Sequence, residues 1–302
     1  MPRRLVLLIL FVLVAALLLY VPLPIPPTYA GRTIENAGHT PLFLVGTLFV
    51  LAILRHDFHV DGLRLYALAG LIGAAAGVAS EAIQKPLRRD ASWEDVLADC
   101  VGVLLALALY AIFDRRSAFR GTTRAAALLI VGGCVTAYLA PVVTMVRAYV
   151  HRNGQFPVLA DFHASIETAW VVGYGSRRTL QNGVLDVEFE ADPFPGISFY
   201  EPVPDWRGLK TLVIDVENPD EAPLQLVVRV HDIGHSLAYA DRFNRIVNLA
   251  PGERRTVEVA LEDVQRAPRN RLMNMTQISD VTLFRGQRSG SRHLRLYSMR
   301  LQ

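Results

Sequence analysis

Residues 153–157, with the sequence Asn-Gly-Gln-Phe-Pro, separate two unlike halves of the chain. Before them, the sequence consists largely of long apolar runs rich in Leu, Ala, Val and Gly. After them, apolar residues alternate with polar ones, which is the period of a half-buried β-strand. We therefore predict two domains joined by a short linker, a helical domain over residues 1–150 and a β-domain over residues 156–302.

The overall composition agrees with this division. The 302 residues are 52% hydrophobic and 20% charged, and their mean hydropathy is +0.28. Such a chain is too apolar for an ordinary soluble protein and too charged for a purely membrane-embedded bundle. The two cysteines, Cys100 and Cys134, lie in apolar runs, which excludes a disulfide-rich secreted module. The net charge of +3 is not clustered in the soluble half, so nucleic acid is not an expected partner.

Five apolar runs are long enough to form membrane-spanning helices, which need about 20 residues. The third run contains Gly70, Gly73, Ala74 and Gly77, small residues that let helices approach closely, and we expect it at the centre of the bundle. The five runs cover residues 5–22, 40–54, 63–82, 96–113 and 124–146.

Basic residues in the short loops predict the orientation, because Lys and Arg remain preferentially on the cytoplasmic side. With a cytoplasmic N-terminus, eight basic residues fall inside and four outside. We predict a multi-pass protein of the bacterial inner (cytoplasmic) membrane, with the β-domain in the periplasm or outside the cell. An alternative interpretation of the first run is a signal peptide cleaved near Thr28-Tyr29-Ala30, which leaves the orientation unchanged.

Polar residues gather at the predicted outer ends of these helices, where each one requires a partner or a function. Glu81 and Gln84 share one helix face, as do Asp95 and Asp99. We call the complete set the outer-face cluster, and it consists of His39, Glu81, Gln84, Arg88, Arg89, Ser92, Asp95 and Asp99.

The outer-face cluster predicts an anionic ligand, because guanidinium groups such as those of Arg88 and Arg89 form bidentate contacts with phosphate or carboxylate. An anionic lipid headgroup or a lipid-linked cell-wall precursor would fit. A structural ion-pair network that holds the helices in register is an open alternative. Catalysis, with Asp99 or Glu81 as general base, is another, but the sequence shows no clear nucleophile and assigns no catalytic residue.

The same residues resemble the VanZ-like family of membrane proteins, which is named for an association with resistance to a glycopeptide antibiotic. The resemblance covers about residues 1–115 and implies a multi-pass protein of the cell envelope without assigning an activity. It rests on Gly38-His39, on Ser-Glu-Ala-Ile-Gln at 80–84, on Arg-Arg-Asp-Ala-Ser at 88–92, on Asp-Val-Leu-Ala-Asp at 95–99, and on Gly102.

The second half contains alternating segments separated by turn signals such as Asn182-Gly183 and Pro251-Gly252. About eight such segments predict an antiparallel β-sandwich. The order of features resembles a galactose-binding-like jelly roll, the fold of many carbohydrate-binding modules, which implies a cell-wall glycan as a partner. The clearest alternating segments are residues 185–189, 212–216, 224–230, 257–261 and 294–296.

Sugar recognition requires exposed aromatic rings beside polar hydrogen-bonding groups. Tyr239 is a good candidate because it falls in a predicted loop, whereas Trp206 directly precedes a core strand and packing is the favoured interpretation. Asp232 and Asp241 offer oxygen ligands for calcium as an alternative, although the sequence has no dedicated acidic loop and we expect neither a metal nor a cofactor. The six candidate glycan-binding residues are Trp206, His231, Asp232, Tyr239, Asp241 and Arg242.

Together these features predict a non-enzymatic envelope protein that binds a lipid-linked or glycan component through the outer-face cluster and the external β-sandwich. Membrane lipids are its expected surroundings. The alternative is an enzyme that acts on a lipid-linked, phosphate-containing substrate at the outer membrane–water interface. A purely structural, anchored interaction module is the third interpretation. The first is favoured because the sequence offers an anion-binding site without a convincing nucleophile.

Overall fold

The computed structural model describes residues 3–20, 28–84, 93–114, 122–236 and 238–302. The chain divides into two compact units, Met1–Met145 and Val146–Gln302. The described part of the first unit is helical, and the second unit consists mainly of β-strands. The helices are α1 (Arg3–Tyr20), α2 (Tyr29–Ala37), α3 (His39–His56), α4 (Gly62–Gln84), α5 (Trp93–Phe113), α6 (Thr122–Gln155) and, in the second unit, α7 (Leu261–Arg266).

Four helical stretches among the described residues are long and apolar enough to cross a membrane. They are Tyr29–His56, Gly62–Ile83, Trp93–Phe113 and Thr123–Gln155, and they contain the second to fifth predicted runs. Helix α1 covers most of the first predicted run and is not among the four. Helix α2 was not predicted because it has only nine residues and includes the polar residues Arg32, Glu35 and Asn36. Its N-terminus is capped by the Thr28 hydroxyl, which accepts from the Gly31 amide at 2.9 Å.

Glycines allow α3, α4 and α5 to pack closely. A Cβ atom at Gly102 of α5 would overlap the carbonyl oxygen of Thr40 in α3. Gly77 of α4 faces Asp99 of α5, where a Cβ would lie 3.1 Å from the carboxylate. Helix α5 is the more buried of the two, since 39% of its most apolar 18-residue stretch is buried, compared with 22% for α4. The prediction that α4 is the bundle centre is therefore wrong. Helix α5 packs against α3 on one side and against the small residues of α4 on another.

The second unit is an antiparallel β-sandwich. One sheet, sheet A, has the order β3-β4-β11-β6-β9 with β1 also paired to β11, and the other, sheet B, has the order β2-β5-β10-β7-β8. The strands are β1 (Val158–Ala160), β2 (Val171–Tyr174), β3 (Ser176–Gln181), β4 (Val184–Phe189), β5 (Gly196–Tyr200), β6 (Thr211–Glu217), β7 (Leu224–Asp232), β8 (Phe243–Leu249), β9 (Arg254–Ala260), β10 (Ile278–Arg285) and β11 (His293–Leu301).

The strand order is that of a jelly roll. From β4 to β11, the neighbours β4-β11-β6-β9 and β5-β10-β7-β8 form two four-stranded sheets connected by crossovers between them. This confirms the predicted β-sandwich. The Asn182-Gly183 turn is also confirmed, since both residues have positive φ angles, 50° and 73°, as a tight hairpin between β3 and β4 requires.

Two strands of sheet B, β5 and β10, were not among the predicted segments. Strand β5 is buried at four of its five positions and β10 at six of eight, so even their polar residues, Ser198, Asp280 and Thr282, are buried. Their inward side chains, among them Ile197, Phe199, Val281 and Leu283, belong to one hydrophobic core shared by both sheets.

The end of α6 belongs to the second unit, and the predicted linker at 153–157 is not a free segment. The helix continues to Gln155 and is followed by a cis Phe156–Pro157 peptide. The Tyr149 hydroxyl donates to the Glu201 carboxylate at 2.5 Å, and Arg152 donates to the Glu201 carbonyl at 2.6 Å. The last turns of α6 are thus bound to the sandwich by side-chain hydrogen bonds.

Candidate functional site

Three residues of the outer-face cluster meet in the helical unit. His39 begins α3, Glu81 lies in the last turn of α4, and Asp99 lies in the second turn of α5. Their exposed fractions are 7%, 7% and 1%. Nδ1 of His39 is 2.9 Å from Oδ1 of Asp99, and one ligand atom from each of the three residues lies within 4.8 Å of the others. Residues up to 60 positions apart therefore form one buried polar site.

Asp95 extends this site, since it is 7% exposed and lies one helical turn before Asp99. Oδ2 of Asp99 is buried and has no hydrogen-bond partner among the described residues. The predicted cluster members Arg88, Arg89 and Ser92 lie outside the residues that the structure describes, as does the side chain of Gln84. Their part in the site stays a prediction.

A second buried polar group lies at the opposite ends of the same helices, and the sequence analysis missed it. Arg55 lies at the end of α3, and Asp114 directly follows α5. Nη1 of Arg55 donates to the Asp114 carboxylate at 2.5 Å. Since His39 meets Asp99 at one end and Arg55 meets Asp114 at the other, α3 and α5 run parallel. A usable signal existed: Arg55 follows His39 by 16 residues, and Asp114 follows Asp99 by 15.

An apolar groove borders the first site. It has a volume of about 370 Å³ and is lined by α1, α3 and α4. Ser80, which directly precedes Glu81, is one of its lining residues, and Phe11, Phe43 and Ile72 are among the apolar ones. An apolar groove that ends next to buried charges is shaped for an amphiphile whose hydrocarbon chain and polar head require different surroundings.

In the sandwich, Trp206 packs and does not contact solvent. Its ring is 1% exposed within the core, and Nε1 donates to the carbonyl of Val203 at 2.8 Å. A fully buried ring cannot stack on a sugar. Trp206 is therefore a packing residue, the interpretation that its position before a core strand favoured, and its candidacy for glycan contact is withdrawn.

Asp232 and Asp241 share one arginine. Nη1 and Nη2 of Arg271 lie 2.6 Å and 2.8 Å from the two carboxylate oxygens of Asp232, and Nε lies 2.6 Å from Asp241. Asp232 also accepts from the Asn274 amide at 2.7 Å, and the Ser236 amide donates to Asp241 at 2.5 Å. The guanidinium group of Arg271 occupies the space between the two carboxylates where calcium would have to bind, so the calcium alternative is not supported. Asp232 and Asp241 instead connect the surrounding loops through Arg271.

The outer side of sheet B brings His231 together with residues that the sequence analysis missed. On β10, Asp280 lies opposite His231 of β7, and Thr282 lies opposite Arg229. Tyr174, from the edge strand β2, points to the same side and interacts electrostatically with Asp280 and Arg229. These side chains could not be grouped from the sequence, because their strands are neighbours only in the folded sheet.

Burial shifts the pKa values of three side chains on this surface, those of Asp280, Tyr174 and His231. Burial raises the pKa of Asp280, whose carboxylate accepts hydrogen bonds from Ser198 and, at 2.7 Å, from Thr282. Burial and the charge of Asp280 raise the pKa of Tyr174 to about 12. Burial and the neighbouring imidazole of His235, stacked at 3.7 Å, lower the pKa of His231 to about 4. At neutral pH, His231 is therefore an uncharged imidazole that can both donate and accept.

Tyr239 and Arg242 flank this surface from the loop before β8. Tyr239 is 66% exposed, and both residues line a surface cleft of about 330 Å³. Arg242 interacts electrostatically with His231, Arg229 and Tyr174, and its buried Nε has no hydrogen-bond partner within the described part of the chain. The structure thus places Tyr239, Arg242 and His231 around one surface. We call it the sheet B surface, and it consists of Tyr174, Arg229, His231, Tyr239, Arg242 and Asp280.

Comparisons with known proteins find only distant, partial matches among solved structures. No protein-family model and no curated protein matches the chain. A family 11 carbohydrate-binding module from Clostridium thermocellum, solved with a beta-1,3-1,4-mixed-linked tetrasaccharide, is 12% identical, with a TM-score of 0.37 over 48% of this chain and 93% of that chain. An agarase, AgWH50C, is 19% identical, with a TM-score of 0.40 over 48% of this chain and 26% of that chain.

A variant of a family 29 carbohydrate-binding module is 13% identical, with a TM-score of 0.32 over 48% of this chain and 89% of that chain. The chain spans about a quarter of the length of the agarase structures that it matches. Likeness at these identities concerns the fold alone and assigns no ligand to this chain.

Proposed function

We propose that the chain is an integral membrane protein of the cell envelope whose external β-sandwich binds a glycan. The observation that carries the proposal is the sheet B surface, where exposed tyrosine rings lie beside charged donors and a buried carboxylate. Tyr174 is 39% exposed and Tyr239 is 66% exposed, so both can stack on a sugar ring. Arg229, Arg242 and the neutral imidazole of His231 supply hydrogen bonds to hydroxyl groups.

The charges on this surface favour an acidic glycan. Two guanidinium groups, of Arg229 and Arg242, and one carboxylate, that of Asp280, interact electrostatically with Tyr174. Asp280 already accepts from Ser198 and Thr282, whereas Nε of Arg242 has no hydrogen-bond partner among the described residues. A carboxylate or phosphate on the glycan would pair with the half-buried guanidinium group of Arg242, because charge-assisted hydrogen bonds to guanidinium are among the strongest available. Cell-wall glycans with such groups are the proposed ligands.

The helical unit supports the membrane part of the proposal. Helices α3 and α5 run parallel, which is the arrangement expected of two membrane-spanning helices when one further helix, α4, crosses the membrane between them. With the predicted cytoplasmic N-terminus, the site of His39, Glu81 and Asp99 would lie at the outer side, where the VanZ-like resemblance also groups these residues. We therefore propose a VanZ-like membrane bundle whose groove and polar site receive a lipid or lipid-linked precursor, with the sandwich in the periplasm or outside the cell.

Replacing Tyr239 by alanine, or Arg242 by glutamine, is expected to weaken glycan binding about 10-fold each, since a stacked ring or a charge-assisted hydrogen bond contributes about 1–1.5 kcal/mol. The full-length protein in lipid nanodiscs would be titrated with acidic and neutral cell-wall glycan fragments in a calorimeter. Arg207→Gln is the matched control, because Arg207 is exposed and bonds to its neighbour Asp205 at 2.9 Å. Equal affinity of all three variants, or no glycan binding by the parent protein, would refute the proposal.

A second function is favoured by one observation, the pair of His39 and Asp99 beside Glu81. A carboxylate that holds an imidazole in one orientation is an arrangement used in general acid–base catalysis. The alternative proposal is hydrolysis or transfer at the phosphate of a lipid-linked substrate whose chain occupies the adjacent groove.

If this alternative holds, the protein in nanodiscs turns over a polyprenyl pyrophosphate, and His39→Gln lowers the rate at least about 100-fold. Glycan binding by the same variant should stay at the parent value, since the sheet B surface belongs to the other unit. Absence of phosphate release by the parent protein, or an unchanged rate in His39→Gln, would exclude catalysis at this site.

A further inference from the structure

We infer that His39, Glu81 and Asp99 bind a divalent transition-metal ion. One imidazole nitrogen and two carboxylate oxygens come from three different helices, and these atoms all lie within 4.8 Å of one another. All three side chains are at least nine-tenths buried. This site belongs to the helical unit, and the inference does not depend on glycan binding by the sandwich.

The spacing of the donor atoms suits a metal ion. Nδ1 of His39 and Oδ1 of Asp99 are 2.9 Å apart. Two ligands of a tetrahedral ion with bonds of about 2.0 Å lie about 3.3 Å apart, so an ion can replace the proton that this pair shares. Ligands on opposite sides of an octahedral ion lie about 4.2 Å apart, so a small rotation of one carboxylate closes the remaining gap to Glu81.

An independent observation comes from the second oxygen of Asp99. Oδ2 is buried and has no hydrogen-bond partner in the part of the chain that the structure describes. Burial of a charged acceptor without a hydrogen-bond partner is energetically unfavourable. Beside it, Gly77 leaves space, because a Cβ atom there would lie only 3.1 Å from Oδ2. A cation bound by Oδ2 would satisfy this oxygen.

The charge of the site also favours a divalent cation. Glu81, Asp95 and Asp99 place three carboxylates in a buried site next to one imidazole. Glu81 and Asp95 have further interactions of their own, so the oxygen that lacks a hydrogen-bond partner among the described residues, and on which this argument rests, is Oδ2 of Asp99. A divalent ion at the centre of the group would add positive charge beside it. The competing source is an arginine from residues 85–92, a segment outside the described residues, and the experiment below separates the two.

The donor set defines the class of metal. An imidazole ligand disfavours Ca²⁺ and Mg²⁺, which prefer oxygen, and the absence of a thiolate among these three donors disfavours Cu⁺. Zn²⁺ and Mn²⁺ remain as the principal candidates. Three protein ligands leave an open position for water or a phosphate oxygen, as in catalytic sites.

The sequence analysis did not predict a metal at this site, because the donors are about 20–40 residues apart in the chain and show no local ligand spacing.

The test is a metal titration of the full-length protein in lipid nanodiscs after treatment with a chelator. Zn²⁺ and Mn²⁺ are added in competition with a chromophoric chelator, and bound metal is counted by mass spectrometry. We expect one ion per chain and an at least 100-fold lower affinity for Asp99→Asn and for Glu81→Gln. Glu94→Gln is the matched control, because Glu94 is exposed on the same end of α5 and should bind like the parent.

Two further measurements keep the outcome unambiguous. Co²⁺ bound to the parent protein should give a visible spectrum of mixed nitrogen and oxygen ligation, which Asp99→Asn should lose while its circular dichroism remains unchanged. If the parent protein binds no stoichiometric metal, or if Asp99→Asn binds as tightly as Glu94→Gln, the inference is wrong and the carboxylates are neutralised by protein cations. Glycan binding measured on the same samples shows whether the sandwich function stands regardless.

Discussion

Replacing Gly102 by alanine is expected to separate α5 from α3 and to lower the free energy of unfolding by about 3 kcal/mol or more. The added Cβ would overlap the carbonyl oxygen of Thr40, and a backbone atom cannot rotate away as a side chain can. Relief therefore requires one helix to move. For a chain of this size, the apparent melting temperature in detergent should fall by about 6–12 °C.

Gly132→Ala is the matched control for this prediction. Gly132 also lies in a long apolar helix, but a Cβ there meets nothing within 4 Å. Alanine is about 1 kcal/mol more favourable than glycine in a helix, so this variant should melt at the parent temperature or slightly above. An unchanged melting temperature in Gly102→Ala would show that α3 and α5 do not cross at this point.

The same substitution tests how the site of His39 and Asp99 is assembled. Thr40, which faces Gly102, directly follows His39, and its hydroxyl donates to the carbonyl of Ala98 next to Asp99 at 3.0 Å. Movement at the crossing therefore acts on both members of the pair. In Gly102→Ala we expect metal affinity to fall together with stability, whereas Glu81→Gln should lose metal affinity while retaining most of its stability.

Replacing Arg271 by glutamine is expected to destabilise the sandwich by about 3–5 kcal/mol, because it leaves a buried carboxylate without its counter-ion. The Asp232 side chain is 1% exposed and receives both terminal nitrogens of Arg271. Arg271 also bonds to Asp241, so the substitution should release the loop that carries Tyr239 and weaken glycan binding. Denaturation by urea, followed by tryptophan fluorescence, measures the loss.

The pH dependence of this effect has a defined sign. Burial alone would raise the pKa of Asp232, but hydrogen bonds from Arg271 and from the Asn274 amide hold this pKa below its usual value. The stabilisation is therefore complete above the unfolded-state pKa of about 4 and is lost as the pH falls through the lower folded-state pKa. The difference between the parent and Arg271→Gln should be largest at neutral pH and should shrink below about pH 4.

Arg177→Gln is the control for Arg271→Gln. Arg177 forms an exposed ion pair with Glu190 at 3.3 Å, and exposed pairs contribute at most about 1 kcal/mol. A loss of stability no greater than in Arg177→Gln, or one that does not shrink as the pH falls below about 4, would show that Asp232 does not depend on Arg271.

Much of the architecture could be predicted from local patterns. The apolar runs that became α3 to α6 were identified because a helix must be apolar along about 20 residues to cross a membrane. Strand β4 was identified because Leu185, Val187 and Phe189 alternate with polar residues and face the core. Strands β5 and β10 were not identified, although Asp280 and Thr282 alternate with Val281 and Leu283 in β10; both faces of these two inner strands of sheet B are largely buried.

The candidate sites depended more on tertiary contacts. The sequence indicated that His39, Glu81 and Asp99 would lie on one side of the membrane, but not that their ligand atoms would lie within 4.8 Å. It also identified Asp232 and Asp241 as candidate ligand-binding residues, but not that both form ion pairs with Arg271. Tyr174, Arg229 and Asp280 were not grouped, since β2, β7 and β10 become neighbours only in sheet B.

The sequence by itself determined the division into a helical and a β-sandwich unit, the positions of the long apolar helices and the turn at Asn182-Gly183. These features depend on residues that are close in the chain, where periodicity and backbone preference act directly. Only the tertiary structure decided which charges meet, which rings are buried and which remain exposed. Contacts between residues 60 positions apart, such as His39 and Asp99, exist because Gly102 lets two helix backbones approach, and no local pattern contains that information.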